Sequence, residues 1–400
     1  MKELISILTR NKAILLLVLL SFTMTEVTRN IKLFTVAGIL LFFWASGANL
    51  KLLKQNIGRF FLIVFIFLVY YISAVTGFSL QYLVHNLVPT CVLFMIGNAL
   101  VQENQTEKRL LGLVFIVSLC CGINNIVFTI NDAMENGWIN YDFLDWEAKQ
   151  IRDDDWVATS LRAAELAPLL SCVVMVFIPT NNDSQLKQMI WLGGILSVVA
   201  LICNLHFVSR SALVVFMVCA LVGCVFIIFQ GKRKNIWLLL LMGIAVLWFV
   251  NSGFWDMMNY KNEISEVETG NGRTDTMKIW WNLVLEHPYG VPNWYQYPRP
   301  FAHNFWLDFA KIAGWVPAIG LALFSLLNIR DVYRVCRSKN IPSSIKLLVL
   351  SMTIAFILAF SVEPIFEGTK NGMYSYFFFC GIVSALANIK HPIILKTERT

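Results

Sequence analysis

The chain has 400 residues, 57% of them hydrophobic and only 14% charged, with 30 Phe and 13 Trp. A soluble domain is about half apolar and about a quarter charged, so this composition points away from a soluble protein and toward one that crosses a membrane several times. The net charge of +7 does not indicate a nucleic-acid partner, because the basic residues sit in short loops between apolar runs, where membrane topology accounts for them.

The N-terminus reads MKELISILTRNK and turns apolar from Ala13. It resembles a signal peptide, but no small-residue cleavage site follows, so it is expected to be an uncleaved first helix. Apolar runs of about 20 residues follow, long enough to cross the roughly 30 Å hydrocarbon layer as helices. They place spans at 12–27, 33–50, 60–78, 81–101, 110–130, 164–180, 188–206, 211–230, 236–253, 303–327, 345–363 and 373–390. The expected fold class is therefore all-α: one integral membrane domain over 1–400, with about twelve transmembrane helices and no internal repeat or soluble domain.

An even number of spans puts both termini on one side. Lys and Arg gather on that side (Lys51, Lys54, Arg59, Lys108, Arg109, Lys232, Arg233, Lys234, Arg334 and Arg337), while the acids gather opposite. Excess Lys and Arg in short loops marks the cytoplasm. Both termini are then cytoplasmic, and two long loops, 131–163 and 254–302, face outward. Long connectors without structure of their own are uncommon unless they are functional. Within the second loop, between the ninth and tenth spans, TDTMKIWWNLVLE has apolar residues at 277, 279, 280, 283 and 284. That spacing fits a short amphipathic helix lying against the membrane. The Pro-rich NWYQYPRPF then turns the chain back.

The nine cysteines show no CxxC and no Cys/His metal spacing. All but Cys336 lie in apolar runs, where a free thiol behaves as a small hydrophobe. No metal site and no cofactor is expected.

The candidate chemistry lies on the outward side. Arg210, in FVSRSALVVF, begins the eighth span between Ser209 and Ser211. It reads either as an interfacial anchor or as an anion-binding group at a helix N-terminus, where free N–H groups favour phosphate. Arg273 follows GNG and opens the amphipathic helix, which again combines a cation with a helix start. Two such guanidinium forks suit a diphosphate. His303, in AHNFWLDF, sits where the outer loop re-enters the membrane, and an imidazole takes a hydroxyl proton at neutral pH. Asn304 is placed to orient it or a substrate. Arg299 in the Pro-rich stretch, Arg29 in TEVTRNIK and Glu363 in VEPIFEGTKNG complete the substrate-binding candidates. Glu367 ranks with Glu363. His287, in EHPYG, reads as part of a turn, and Asp153, Asp154 and Asp155 read as a solvated acidic loop rather than a metal motif.

The ordered set SRSA around Arg210, GRTDTMKIWWNLVLEHPYG from Gly272, and HNFWLDFAKIAGWVPAIG around His303 resembles the O-antigen ligase superfamily, together with the related polymerases of bacterial surface polysaccharides. The resemblance covers about 190–325. It implies an enzyme of the bacterial inner membrane with a periplasmic active site and no metal. Such an enzyme takes a glycan from undecaprenyl diphosphate and passes it to an acceptor hydroxyl. A ligase uses the lipid A–core oligosaccharide as acceptor, in lipopolysaccharide biosynthesis; a polymerase uses another lipid-linked repeat. The family's paired Arg and catalytic His map onto Arg210, Arg273 and His303. The outer loop is short for a ligase. A transporter of lipid-linked sugars is the reading from another class. It is disfavoured because Asp308 and Lys311 are exceptions among spans otherwise nearly free of charge, whereas transporters set charges near the midplane.

Overall fold

The computed structural model describes residues 51–74, 80–103, 106–136, 165–178, 184–206, 210–229, 273–297, 302–362 and 371–389, with 391 and 393. Regular structure among them is helical, without a strand. The helices are α1 (Lys51–Ser73), α2 (Leu80–Glu103), α3 (Glu107–Asn136), α4 (Glu165–Phe177, its second half wound as a 3₁₀ helix), α5 (Ser184–His206), α6 (Arg210–Phe229), α7 (Arg273–Glu286), α8 (Phe305–Ala313), α9 (Trp315–Arg337), α10 (Ser343–Val362) and α11 (Asn371–Leu386).

Seven of these are long and apolar enough to cross a membrane: α1, α2, α3, α5, α6, α9 and α10. This is the architecture of a multi-pass membrane protein. α4 and α11 are apolar but shorter. The expected spans 12–27, 33–50 and 236–253 lie outside the described residues, as does most of the loop 131–163. Every other expected span coincides with a helix, with one correction. The run 303–327 is not one helix. It breaks at Gly314, where φ is 81°, into α8 and the true crossing helix α9, which runs on to Arg337. A side chain at Gly314 would lie 2.4 Å from the Pro288 carbonyl oxygen, so only glycine lets the chain bend this close to its neighbour.

Packing follows from sequence in two further places. α2 and α11 approach through paired glycines: a Cβ on Gly97 would lie 2.4 Å from the Phe378 oxygen, and one on Gly381 would lie 2.1 Å from the Phe94 oxygen. Small residues admit such backbone contact between membrane helices. Around this seam an aromatic core forms from Phe67, Phe94, Phe309, Phe324, Phe356, Phe360 and Phe377, all buried. Phe324 and Phe377 lie 4.9 Å apart and Phe305 and Phe360 4.6 Å apart, in tilted pairs. The free cysteines 91, 120, 172, 203, 219, 224 and 380 are buried and Cys336 is half-buried, which matches their place in apolar runs.

The bundle has two chemically different ends. At one, Arg59 of α1 pairs with Asp331 of α9 and also donates to the Leu327 carbonyl at 3.0 Å. Arg330 and Arg334 flank that pair. At the same end Ser344, at the start of α10, donates to Glu107 at the start of α3. The far end of α10 carries Ser361, whose carbonyl accepts from Asn304 at 3.4 Å. The far end of α3 carries Asp132, which lies 2.6 Å from His206 at the end of α5. Between Glu107 and Asp132 α3 rises about 37 Å, at about 1.5 Å per residue. His303, Asn304, Asp132 and His206 therefore share one end of the bundle, one bilayer thickness from the basic end.

Candidate functional site

The site is built on the segment from α7 to the start of α9. One side of α7 packs on α8 through Thr276, Trp280 and Val284, all buried, at the four-residue spacing of one helical face. Of the residues expected on the apolar face, Trp280 and Val284 are buried and Met277 and Leu283 half-buried. Ile279 is exposed, with Trp281 and Leu285, so α7 shows apolar side chains on both flanks. Such a helix has protein on one side and leaves an apolar flank for a membrane surface on the other. Past Glu286 the chain turns at His287–Gly290, where the Gly290 N–H donates to the His287 carbonyl at 3.0 Å. Three longer links tie this turn down. The Trp315 N–H donates to Pro288 O at 3.0 Å, the Val291 N–H to Lys311 O at 2.8 Å, and the Trp315 indole to Val284 O at 3.1 Å.

His303 is half-buried and has φ 51°. A positive φ is uncommon for any residue but glycine, though His tolerates it better than most, and here neighbours hold the turn on both sides. On the N-terminal side the Ala302 N–H donates to Asp308 Oδ1 at 2.9 Å. On the C-terminal side Asn304 caps α8. Its Oδ1 accepts the Leu307 N–H at 3.1 Å, which satisfies a donor that the first helical turn leaves open. Its Nδ2 reaches the Ser361 carbonyl of α10. Both ends of the Asn304 amide are engaged, so this residue shapes the site around His303.

Sequence reasoning noted Asp308 and Lys311 only as charges out of place. In the structure both are fully buried and paired, Nζ to Oδ1 at 3.3 Å. Lys311 Nζ also lies 4.3 Å from the Trp294 ring centre and 4.9 Å from that of Trp280, a cation held against two indole faces.

A groove of about 790 Å³ opens between α7, α8 and α9, with Asn304 among its lining residues. Met277, Lys278, Trp281 and Asn282 line it from α7, and Asn304, Trp306, Leu307 and Ala310 from the α8 side. Trp315, Ala318, Ile319 and Ala322 line it from α9. The α9 positions recur at three- and four-residue steps along one face of a crossing helix, so the groove follows that helix for about 10 Å. Three alanines and three tryptophans are among the residues that line it. Ile319 is exposed, so the groove faces outward along the span.

The remaining expected residues fall as follows. Arg210 begins α6, four residues after His206, and so lies at the His303 end of the bundle. Arg273 begins α7, one turn before Met277 and Lys278 of the groove. The positions of these two side chains lie outside the described residues. Arg29, Arg299, Glu363, Glu367 and the run Asp153–Asp155 also lie outside them. His303 and Asn304 are brought together with Ser361.

Two polar pairs at the same end went unnoticed in the sequence. His206, almost fully buried, meets Asp132. The Asn125 amide donates to Glu165, also buried, at 2.6 Å. The signal for each was a polar residue near the end of an apolar run; the pairing joins residues 74 and 40 positions apart. Among the described residues no group of three or more His, Cys, Asp or Glu is placed to hold a metal ion.

No protein-family model matches the chain, and no curated protein matches it.

Proposed function

We propose that the protein is a membrane glycosyltransferase of the O-antigen ligase type. It transfers a glycan from undecaprenyl diphosphate to the lipid A–core oligosaccharide at the periplasmic face of the bacterial inner membrane. The observation that carries this reading is the placement of His303. His303, half-buried and held in a left-handed turn, immediately precedes Asn304, which lines an apolar groove running along a crossing helix. A donor with a hydrocarbon chain and a polar reacting end matches that layout. Two further features support the reading. The helix beginning at Arg210 starts at the same end of the bundle, and the helix beginning at Arg273 leads into the groove.

In this mechanism the acceptor hydroxyl oxygen attacks the anomeric carbon of the donor glycan. A carbon–oxygen bond forms there, and the bond from that carbon to the diphosphate oxygen breaks. His303 takes the hydroxyl proton. The lipid diphosphate leaves with the bonding electrons, and Arg210 and Arg273, each the first residue of its helix, hold the charge that develops on it. Arg29, Arg299 and Glu363 complete the substrate contacts. The full topology of this reading has twelve spans, with both termini cytoplasmic and 131–163 and 254–302 periplasmic. The basic end, with Arg59, Arg330 and Arg334, is then the cytoplasmic one.

The test uses protein purified in detergent and polysaccharide-loaded undecaprenyl diphosphate. One tube receives rough lipopolysaccharide and the other only more donor. The expected result is a ladder on the lipopolysaccharide that disappears in His303→Ala. Longer lipid-linked chains in the donor-only tube would make the protein a polymerase instead. Silence in both tubes with donor still bound would end the transferase reading in favour of transport.

A further inference from the structure

Asp308 and Lys311 stand one helical turn apart in a nine-residue helix, both fully buried. As a means of holding α8 in place this is a poor device. A buried ion pair is often no more stabilising than apolar side chains of the same volume, because both charges must be desolvated. The geometry shows a more specific use. The Asp308 Oδ1 atom accepts two hydrogen bonds, one from Lys311 Nζ and one from the Ala302 N–H at 2.9 Å. The Ala302 amide is the peptide group immediately before His303. Lys311 is fixed in turn by Trp280 of α7 and Trp294 of the loop, and its own carbonyl takes the Val291 N–H. A single carboxylate oxygen thus connects α7 and the 291–297 loop to the backbone that sets the direction of the imidazole.

We propose that Asp308 and Lys311 are positioning residues for His303: Lys311, seated between Trp280 and Trp294, orients Asp308 Oδ1, which anchors the Ala302 amide and with it the left-handed turn that aims the imidazole. The role assigned to the pair rests on the reading of His303 as the base that accepts the acceptor proton. Neither residue touches the reacting atoms.

Two charge-free double variants separate positioning from bulk stability. Asp308→Asn with Lys311→Met removes the ion pair and keeps an oxygen for the Ala302 N–H. Asp308→Leu with Lys311→Met removes the oxygen as well. The first is expected to stay within about tenfold of wild-type kcat. The second is expected to lose about 100-fold in kcat, the scale of a small misplacement of a catalytic group. Its donor KM should stay within about threefold of wild type, as its binding groups remain, and its unfolding temperature should match that of the Asn variant. Equal kcat in the two would overturn the proposal.

Should the Leu variant fail to fold, Trp294→Leu opens one wall of the Lys311 slot at a half-buried position with both charges in place. Its kcat should fall about tenfold at constant KM, and an unchanged kcat overturns the proposal. An inert wild type would end the transferase reading and leave the positioning claim to hydrogen exchange in the two double variants. Exchange of the Ala302 amide should be faster in the Leu variant, and equal rates would overturn it.

Discussion

The Tyr374 hydroxyl of α11 donates to the His85 carbonyl of α2 at 3.0 Å. Pro89 lies four residues beyond His85 inside α2, so it has no N–H to give to that carbonyl. In hydrocarbon no water takes the place of the missing donor. The neighbouring helix therefore supplies one, and α2 keeps its proline where α11 covers it. Removing the hydroxyl should cost about 1 kcal/mol, the scale of a buried hydrogen bond between membrane helices. Tyr374→Phe should unfold earlier in detergent by that amount. In a Pro89→Ala background the backbone gains an N–H for the same carbonyl, and the same substitution should cost clearly less. Equal losses in both backgrounds would refute the compensation.

Gly381 and Gly58 make opposite predictions for the same change. A Cβ on Gly381 would sit 2.1 Å from the Phe94 carbonyl oxygen and 2.9 Å from its carbon, both backbone atoms that cannot step aside. Gly381→Ala should force α2 and α11 apart and cost about 3 kcal/mol, at the upper end for overpacking. Gly58, within α1, has nothing within 4 Å of an added Cβ. There alanine should be neutral or stabilise by up to about 1 kcal/mol, because glycine is the poorer helix former. Unfolding midpoints of the two variants, measured side by side in one detergent, check the pair.

Helix positions were largely legible because crossing a bilayer needs long apolar runs, and runs are local. The break at Gly314 was not, although Lys311 before it and Pro317 after it are local marks of a helix end. Its cause is the Pro288 carbonyl, a contact across 26 positions that no local pattern records. The α7 helix is legible from its spacing, with its apolar residues set against the membrane; Ile279 is exposed, but Trp280 and Val284 are buried within the protein. An apolar residue at a membrane surface has no reason to hide, so hydropathy cannot say which side faces protein. The importance of the His303 region was visible in its unusual polarity. What holds His303 was not, because Asp308 binds the Ala302 backbone and Lys311 lies on two tryptophans, and neither contact has a sequence motif. His206 and Asp132 show the same limit, each ordinary in its own helix and paired only by the fold.

His303→Gly should separate the chemistry of this residue from its conformation. At φ 51° an L-residue carries a cost of about 1–2 kcal/mol that glycine does not. Glycine also gains more freedom when unfolded, which offsets part of that relief. The variant should therefore unfold at or slightly above the wild-type temperature, by about 1 kcal/mol at most. Transfer should nevertheless fall by about 100-fold to 10,000-fold, the usual contribution of a positioned acid–base group. A stable, inactive glycine variant is the outcome the catalytic reading requires. A stable variant with wild-type turnover would remove His303 from the mechanism.

The groove along α9 makes the remaining prediction. Ala310, Ala318 and Ala322 are among its lining residues, and a larger side chain at such a position takes up groove volume. Ala322 is half-buried and lies farthest along α9 from His303 among the lining residues. A phenylalanine there occupies hydrocarbon-facing space without touching the turn at His303. If the donor's prenyl chain lies in the groove, Ala322→Phe should raise KM for the lipid-linked donor about tenfold, the loss of roughly 1.4 kcal/mol of binding. The value of kcat at saturation should change little, because the blocked contact is made equally in ground state and transition state. A donor analogue with a short prenyl chain should bind both forms alike. Equal KM for the long-chain donor in wild type and variant would place the hydrocarbon chain elsewhere on the protein. Loss of kcat with KM unchanged would instead mean that the phenylalanine disturbs the catalytic turn from a distance.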